Sequence, residues 1–303
     1  MTRRAISIYA LRAVGVSWCI QLPAILLLGL DSAVTKAVFV LVMWSPTLLA
    51  LVFMVRSPSA RQGVRWRIGR LRYLPVGILV ETMIGFGMIG ILMSMGAAAA
   101  GWFTFATGGV STSGGPWVLG IGFQNWPLFL LNVLATAIAF SAIGLVATTG
   151  EEFAWRGFLQ GHLERQHGLV PAILWVALIW WAWHLPGLLA GYNFPETPVL
   201  GAFVLFPLQL LGASLFFGWL TVRADSFWPA ALAHGAVNSI QQGLFDNLEI
   251  EGSALTAHIV RTALILAVGL MCLPSIRNSG GGRKGVQSRP LVDALDRDAV
   301  QPR

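Results

Sequence analysis

The chain has 303 residues, 56% hydrophobic and only 11% charged, with 20 basic residues against 13 acidic ones and a formal net charge of +7. Soluble domains carry about a quarter of their residues as charged groups. Together with a mean hydropathy of +0.71, the composition excludes an ordinary soluble fold, a disordered or collagenous chain and a disulfide-built scaffold. A charge of +7 on a soluble protein would raise nucleic acid as a partner, but no basic module with interleaved aromatics is present, and none is expected here.

Apolar runs of about 20 residues, long enough to cross hydrocarbon as a helix, recur along the chain. They predict spans at 13–30, 33–55, 74–101, 126–148, 169–190, 199–222, 227–245 and 255–273. Backbone polar groups in lipid must be satisfied within the segment, which makes helices the default. The expected fold is therefore all-α: a polytopic transmembrane helical bundle of about eight spans. Met1 to Arg4 looks like the start of a signal peptide, but no convincing small-residue cleavage site precedes Asp31, and the run reads as a retained first span. Residues 1–125 form N-terminal helices with a basic strip at 56–73, residues 126–274 a helical core, and residues 275–303 a Gly-, Arg- and Asp-rich cytoplasmic tail expected to be disordered. Cys19 and Cys272 sit in apolar runs without metal-ligand spacing and read as small buried hydrophobes.

Charge placement orients the bundle. Arg3 and Arg4, then Arg56, Arg61, Arg65, Arg67, Arg70 and Arg72, then Arg156 and Arg165, then Arg223, and finally Arg277, Arg283, Lys284 and Arg289 fall on alternate connections. The other connections carry Asp31 and Lys36, a charge-free stretch from Trp102 to Asn125, Glu196, and Asp246, Glu249 and Glu251. Basic loops stay in the cytoplasm, so both termini are expected there. The arginine strip is expected to bind anionic headgroups, and Trp102, Trp117, Trp126 and Trp228 to sit at the interfaces.

Ionisable groups inside spans are costly and suggest function. In Glu151-Glu152-Phe153-Ala154-Trp155-Arg156, residues i and i+4 share a helix face, so Glu152 can pair with Arg156 while Glu151 faces elsewhere. Glu151 is then either a general base or part of an interfacial Glu–Arg cluster. His184 ends the run Trp180-Trp181-Ala182-Trp183-His184 and is either a catalytic group or an interhelical hydrogen-bonding one. His234 and Asn238, again i and i+4, are either site residues or polar contacts between helices. Glu151 and His184 each lie about 16 residues from a turn near His167-Gly168, so an antiparallel hairpin sets them side by side. His234 lies about 10 Å along its helix from the basic loop. These depths agree if the hairpin projects past the bilayer. Glu81 falls at the same level and reads chiefly as a local interhelical partner, and Arg261 is expected to snorkel towards Glu249 or Glu251.

Glu-Glu-x-x-x-Arg, an aromatic-x-x-x-His and His-x-x-x-Asn on a later span, with Arg156-Gly157-Phe158-Leu159-Gln160 continuing the first motif, resemble the CPBP family of intramembrane endopeptidases. These are the type II CAAX prenyl proteases and the bacteriocin-processing and self-immunity proteins. The resemblance covers about Thr149 to Asn238. It implies that Glu151 activates water beside His184, that Glu152 and Arg156 complete the first motif, and that His234 and Asn238 form an oxyanion hole. Trp180 stands where the family usually has Phe. A metal-independent reaction is favoured. If a divalent metal such as zinc took part, Glu151, His184 and His234 would be its ligands, although the zincin His-Glu-x-x-His helix is absent.

The resemblance therefore implies an intramembrane peptidase of the cell membrane, bacterial by composition, that cuts a membrane-associated protein or peptide near the cytoplasmic face. The alternative is a non-catalytic scaffold or self-immunity protein with the same fold. A transporter would show broken helices in matching halves, and none are evident.

Overall fold

The computed structural model describes residues 1–281. Seven of its helices are long and apolar enough to cross a membrane. They are α1 (Arg3–Leu28), α2 (Ala33–Arg56), α3 (Leu71–Ser94), α4 (Trp126–His167), α5 (Leu169–Leu189), α6 (Pro198–Ala224) and α8, whose membrane-length stretch is Ala254–Ser279. Between α6 and α8 lies α7, formed by Trp228–Ala236, a π-helical stretch Val237–Gln241, and Gln242–Asp246. The sequence reading counted this segment as an eighth span. It is helical, but His234, Asn238, Ser239, Gln241, Gln242 and Asp246 make it too polar to qualify by composition.

The chain nonetheless passes eight times between the ends of the bundle. At one end, Gln166 Nε2 donates to the Met1 carbonyl at 3.1 Å, Arg70 Nη1 donates to the Arg223 carbonyl at 3.1 Å, and Trp219 Nε1 donates to Ser275 Oγ at 3.0 Å. This end collects the basic loops. At the other, β1 (Ala98–Ala100), which follows α3, pairs antiparallel with β5 (Leu248–Ile250), which follows α7, in the register Ala98↔Ile250. Since α6 finishes at the basic end and α8 begins near β5, α7 carries the chain across.

Several expectations are corrected. The first helix begins at Arg3 rather than Ala13, and α4 runs beyond its apolar span, past Thr148 to His167, where the hairpin turn is expected. The third ends at Ser94, and the stretch after it holds an antiparallel sheet of β2 (Phe103–Ala106), β3 (Gly109–Thr112) and β4 (Gly122–Asn125). Trp117 is buried against Trp102, Phe103 and Phe129 rather than lying at an interface. Cys19 is exposed on the bundle's outer face and Cys272 half-buried. The last helix runs to Gly281, so residues 275–281 are helical. The remainder of the expected tail, 282–303, lies outside the described residues.

Local chemistry sets the positions that matter. Pro46 has no N–H to donate and interrupts α2 between Val42 and Ser45. Just beyond the break, Thr47 Oγ1 donates to the Gly150 carbonyl at 2.5 Å, which pins α2 beside the residue preceding Glu151. Apolar side chains gain little from associating in lipid, so helices approach closely where residues are small. On α4 and α7, Gly144 faces Gly235, and Thr148 Oγ1 donates to the Ala231 carbonyl at 2.8 Å. A Cβ on Gly235 would stand 2.6 Å from the Ser141 carbonyl oxygen, a backbone atom that cannot yield alone. Gly235→Ala is therefore expected to cost about 1–3 kcal/mol by overpacking, read as a lower thermal-unfolding midpoint in detergent. An unchanged midpoint would mean that α4 and α7 do not pack at this glycine.

Candidate active site

The sequence motifs converge where α4, α5 and α7 meet. The α4–α5 hairpin turns at Gly168, whose φ of +84° suits a residue without Cβ. The rings of Trp155 and Trp183 meet edge to face at 6.5 Å, and Trp180 Nε1 donates to Glu151 Oε2 at 2.5 Å. Glu151 and His184 thus stand at neighbouring levels of the hairpin, as residue counting places them.

The two carboxylates of the first motif occupy different environments. Glu152 is fully buried, and its Oε1 receives Arg156 Nη1 at 2.8 Å and His234 Nδ1 at 2.9 Å. Arg156, also fully buried, donates through Nη2 to Ser214 Oγ at 3.1 Å and lies over the rings of Trp180 at 4.2 Å and Phe217 at 5.2 Å. Neither residue lines the adjoining cavity. Glu151 does, and its Oε2 also receives the Trp155 indole N–H at 3.4 Å. Among the described residues Glu151 Oε1 accepts no hydrogen bond from the protein, so it is the oxygen free to engage a water.

The two imidazoles are each fixed through one nitrogen. His184 Nδ1 lies 2.8 Å from the Trp180 carbonyl. That oxygen can only accept, so Nδ1 carries the hydrogen and Nε2 of the neutral ring keeps its lone pair. His234 Nδ1 faces the Glu152 carboxylate and carries a hydrogen by the same argument. Its Nε2 donates only when the ring holds both hydrogens. Neither Nε2 has a protein hydrogen bond among the described residues, and both rings line the cavity. Asn238, one turn beyond His234 in the π-helical stretch, lines it too and is exposed. A second π-helical stretch, Phe153–Leu159, follows the carboxylates, and such irregular turns frequently mark functional sites.

Sequence reasoning missed three supports: the Trp180 and Trp155 indole donors to Glu151, the Ser214 partner of Arg156, and the Phe217 ring packed against His234 at 6.0 Å. Only Trp180, noted for its departure from Phe, carried a visible signal. Arg261 does not snorkel towards Glu249 or Glu251. It is buried, donating from Nε to Gln241 Oε1 at 3.0 Å and from Nη1 to Gln242 Oε1 at 2.7 Å, because those amides on α7 face α8 across the bundle. Glu81 Oε2 accepts from Gln241 Nε2 at 2.8 Å, an interhelical partner, and Glu81 also lines the cavity.

The cavity has a volume of about 830 Å³. It runs from Glu151, Trp180 and His234 to the exposed residues Lys36, Tyr192, Glu196 and Asp246, all in the connections poor in basic charge. No residue of the basic connections lines it. The cavity that Glu151 lines thus extends towards the connections poor in basic charge.

Residues 124–240 match the family model described as type II CAAX prenyl endopeptidase Rce1-like. The match spans all three motifs. The match supports membership of the CPBP family. No curated protein matches it closely enough to name as a relative. Over that stretch the similarity supports an intramembrane CAAX-type protease in general terms. For the metal alternative, the described residues contain no group of three or more His, Cys, Asp and Glu side chains arranged to hold an ion. Glu151 Oε1 and the Nε2 atoms of His184 and His234 are left without protein partners, with each Nδ1 hydrogen-bonded, but the three side chains are not gathered into such a group, and no step below is routed through a metal.

The buried triad makes a prediction. Removing one partner of a buried ion pair strands the other and costs about 3–5 kcal/mol. Arg156→Met should therefore destabilise strongly in detergent unfolding, while Glu152→Gln combined with Arg156→Met should recover part of the loss as a coupling energy. Additive effects of the two substitutions would dissolve the pair as a unit.

Proposed function

We propose that the protein is an intramembrane endopeptidase in which Glu151 activates a water for attack on a peptide carbonyl. The observation that carries this reading is the division of labour between adjacent carboxylates: Glu152 is sealed behind the wall with Arg156 and holds His234 from there, while Glu151 keeps one oxygen for the cavity. Glu151 Oε1 removes a proton as the water adds to the carbonyl carbon. His184 Nε2, an acceptor in the neutral ring, holds the same water or receives the proton on its way to the leaving amine.

Negative charge builds on the carbonyl oxygen during attack. Donors already aimed at that charge stabilise it most in a site shielded from water. His234, with both ring hydrogens and Glu152 behind it, donates from Nε2, and the Asn238 amide adds a second donor from one turn away. Glu152 and Arg156 act through His234 and Trp180, as positioning residues rather than groups that touch substrate. Indole N–H groups on Glu151 Oε2 orient the carboxylate so that its other oxygen faces the water. A membrane-associated protein or peptide is the substrate class, because the site lies within the helical bundle.

General-base catalysis contributes about 10²–10⁴-fold. Glu151→Gln, which keeps shape and removes the base, should lower cleavage by that range, and His234→Ala or Asn238→Ala by about 10²-fold through loss of oxyanion donors. The measurement compares N-termini in membrane fractions from cells carrying the wild-type chain or Glu151→Gln. If the peptide profile and the cellular phenotype survive that substitution, the chain works as a binding scaffold and not by hydrolysis.

A further inference from the structure

Two independent observations bear on which side of the membrane supplies the substrate. The first is charge. Arg65 Nη2 pairs with Glu164 at 2.7 Å and Arg65 Nε with Asp225 at 3.5 Å, and Arg70 joins the Arg223 carbonyl, so the basic connections are gathered at one end, which the positive-inside rule makes cytoplasmic. The second is the shape of the cavity. Its walls come from the middle and opposite end of the bundle, and its rim is made by Lys36, Tyr192, Glu196 and Asp246.

The cytoplasmic end is sealed by the chain itself. The loop after α2 threads back into the bundle: Arg65 N–H donates to the Gly157 carbonyl at 3.0 Å, and Phe227 N–H donates to the Arg65 carbonyl at 3.1 Å. His162 Nε2 reaches the Ala60 carbonyl at 3.0 Å, and Ala60 is fully buried. Between this loop and Glu151 lie Trp155, Arg156, Phe158 and Phe227, all essentially without exposure. A peptide coming from that side would have to unpack them.

We infer that the substrate reaches Glu151 from the non-cytoplasmic face, as the extracytoplasmic stretch of a membrane-anchored chain threaded through the mouth between Lys36 and Asp246. Its identity as a peptide rests on the peptidase reading above, while the direction of approach rests on the charge and the cavity alone. The charged residues of that face are Asp31, Glu196, Asp246, Glu249 and Glu251 against the single Lys36, so the mouth favours a stretch carrying basic residues over an acidic one.

The test uses no substrate and is independent of hydrolysis. In full-length protein carrying Cys19→Ser and Cys272→Ser, single cysteines are placed in the cavity by Ala213→Cys or Ala147→Cys, at the rim by Thr197→Cys, and at the basic end by Ser59→Cys. Membrane vesicles of both orientations are treated with a small, charged, membrane-impermeant methanethiosulfonate. Rim and cavity cysteines should react from the face opposite Ser59→Cys, the cavity positions about tenfold faster from that face than from the other, since the sealed end must open locally to admit reagent. Faster reaction of both cavity cysteines from the Ser59 face, equal rates from the two faces, or no reaction from either would overturn the inference. Thr197→Cys reacting from the cytoplasmic face would do so as well. Because two cavity positions on different helices are used, loss of one variant to misfolding leaves the other decisive, and loss of catalysis in Glu151→Gln has no bearing on these rates.

Discussion

The arrangement depends on a fully buried carboxylate, Glu152. An isolated charge in so apolar a bundle would be prohibitive, and the fold answers with two donors on one oxygen, Arg156 from the next turn of the same helix and His234 from α7. The guanidinium is held in turn by Ser214 and by two aromatic faces. One anion thereby ties α4 to α6 and α7 and settles which nitrogen of His234 is occupied. The other nitrogen is released for the cavity by the same bond.

Irregular helix geometry does the remaining positioning. The wider turns at Phe153–Leu159 and Val237–Gln241 each follow a motif residue. A π turn displaces backbone pairing by one residue. In the first, the Gly157 carbonyl accepts from Arg65 N–H. In the second, Asn238 follows His234 into the same cavity. Trp180 then serves two partners at once, with its indole N–H on Glu151 and its face beneath Arg156. A phenylalanine at this position could supply the face but not the donor. The chain thus orients Glu151 with a hydrogen bond that an aromatic ring alone would not provide.

Much of this was legible in the sequence, for physical reasons. Spans announce themselves through uninterrupted apolar runs, and the Glu152–Arg156 pairing follows from helical periodicity alone. The equal depth of Glu151 and His184 follows from counting residues either side of Gly168. What escaped involves partners on helices distant in sequence. Arg261 looked free to reach the outer acidic residues because nothing local reveals that Gln241 and Gln242 face α8. Trp117 looked interfacial because the small sheet that buries it lies in a charge-free stretch with little apolar continuity. Apolar continuity marks the end of a span rather than the end of a helix, as where α4 runs past Thr148 to His167.

Charge distribution and burial answer different questions about the same arginines. Their count on alternate loops orients the chain with respect to the membrane. It says nothing about whether the loops that carry them stand open. Arg65 is only 8% exposed and exchanges backbone hydrogen bonds with both Gly157 and Phe227, so the segment that carries the arginine strip also closes its end of the bundle. Depth along a helix is blind to this as well, since His234 is nearer in residues to Trp228 than to Asp246 although its cavity opens beside Asp246. A motif can therefore lie closer to one face and be served from the other, whenever packing on the near side is tighter than on the far side.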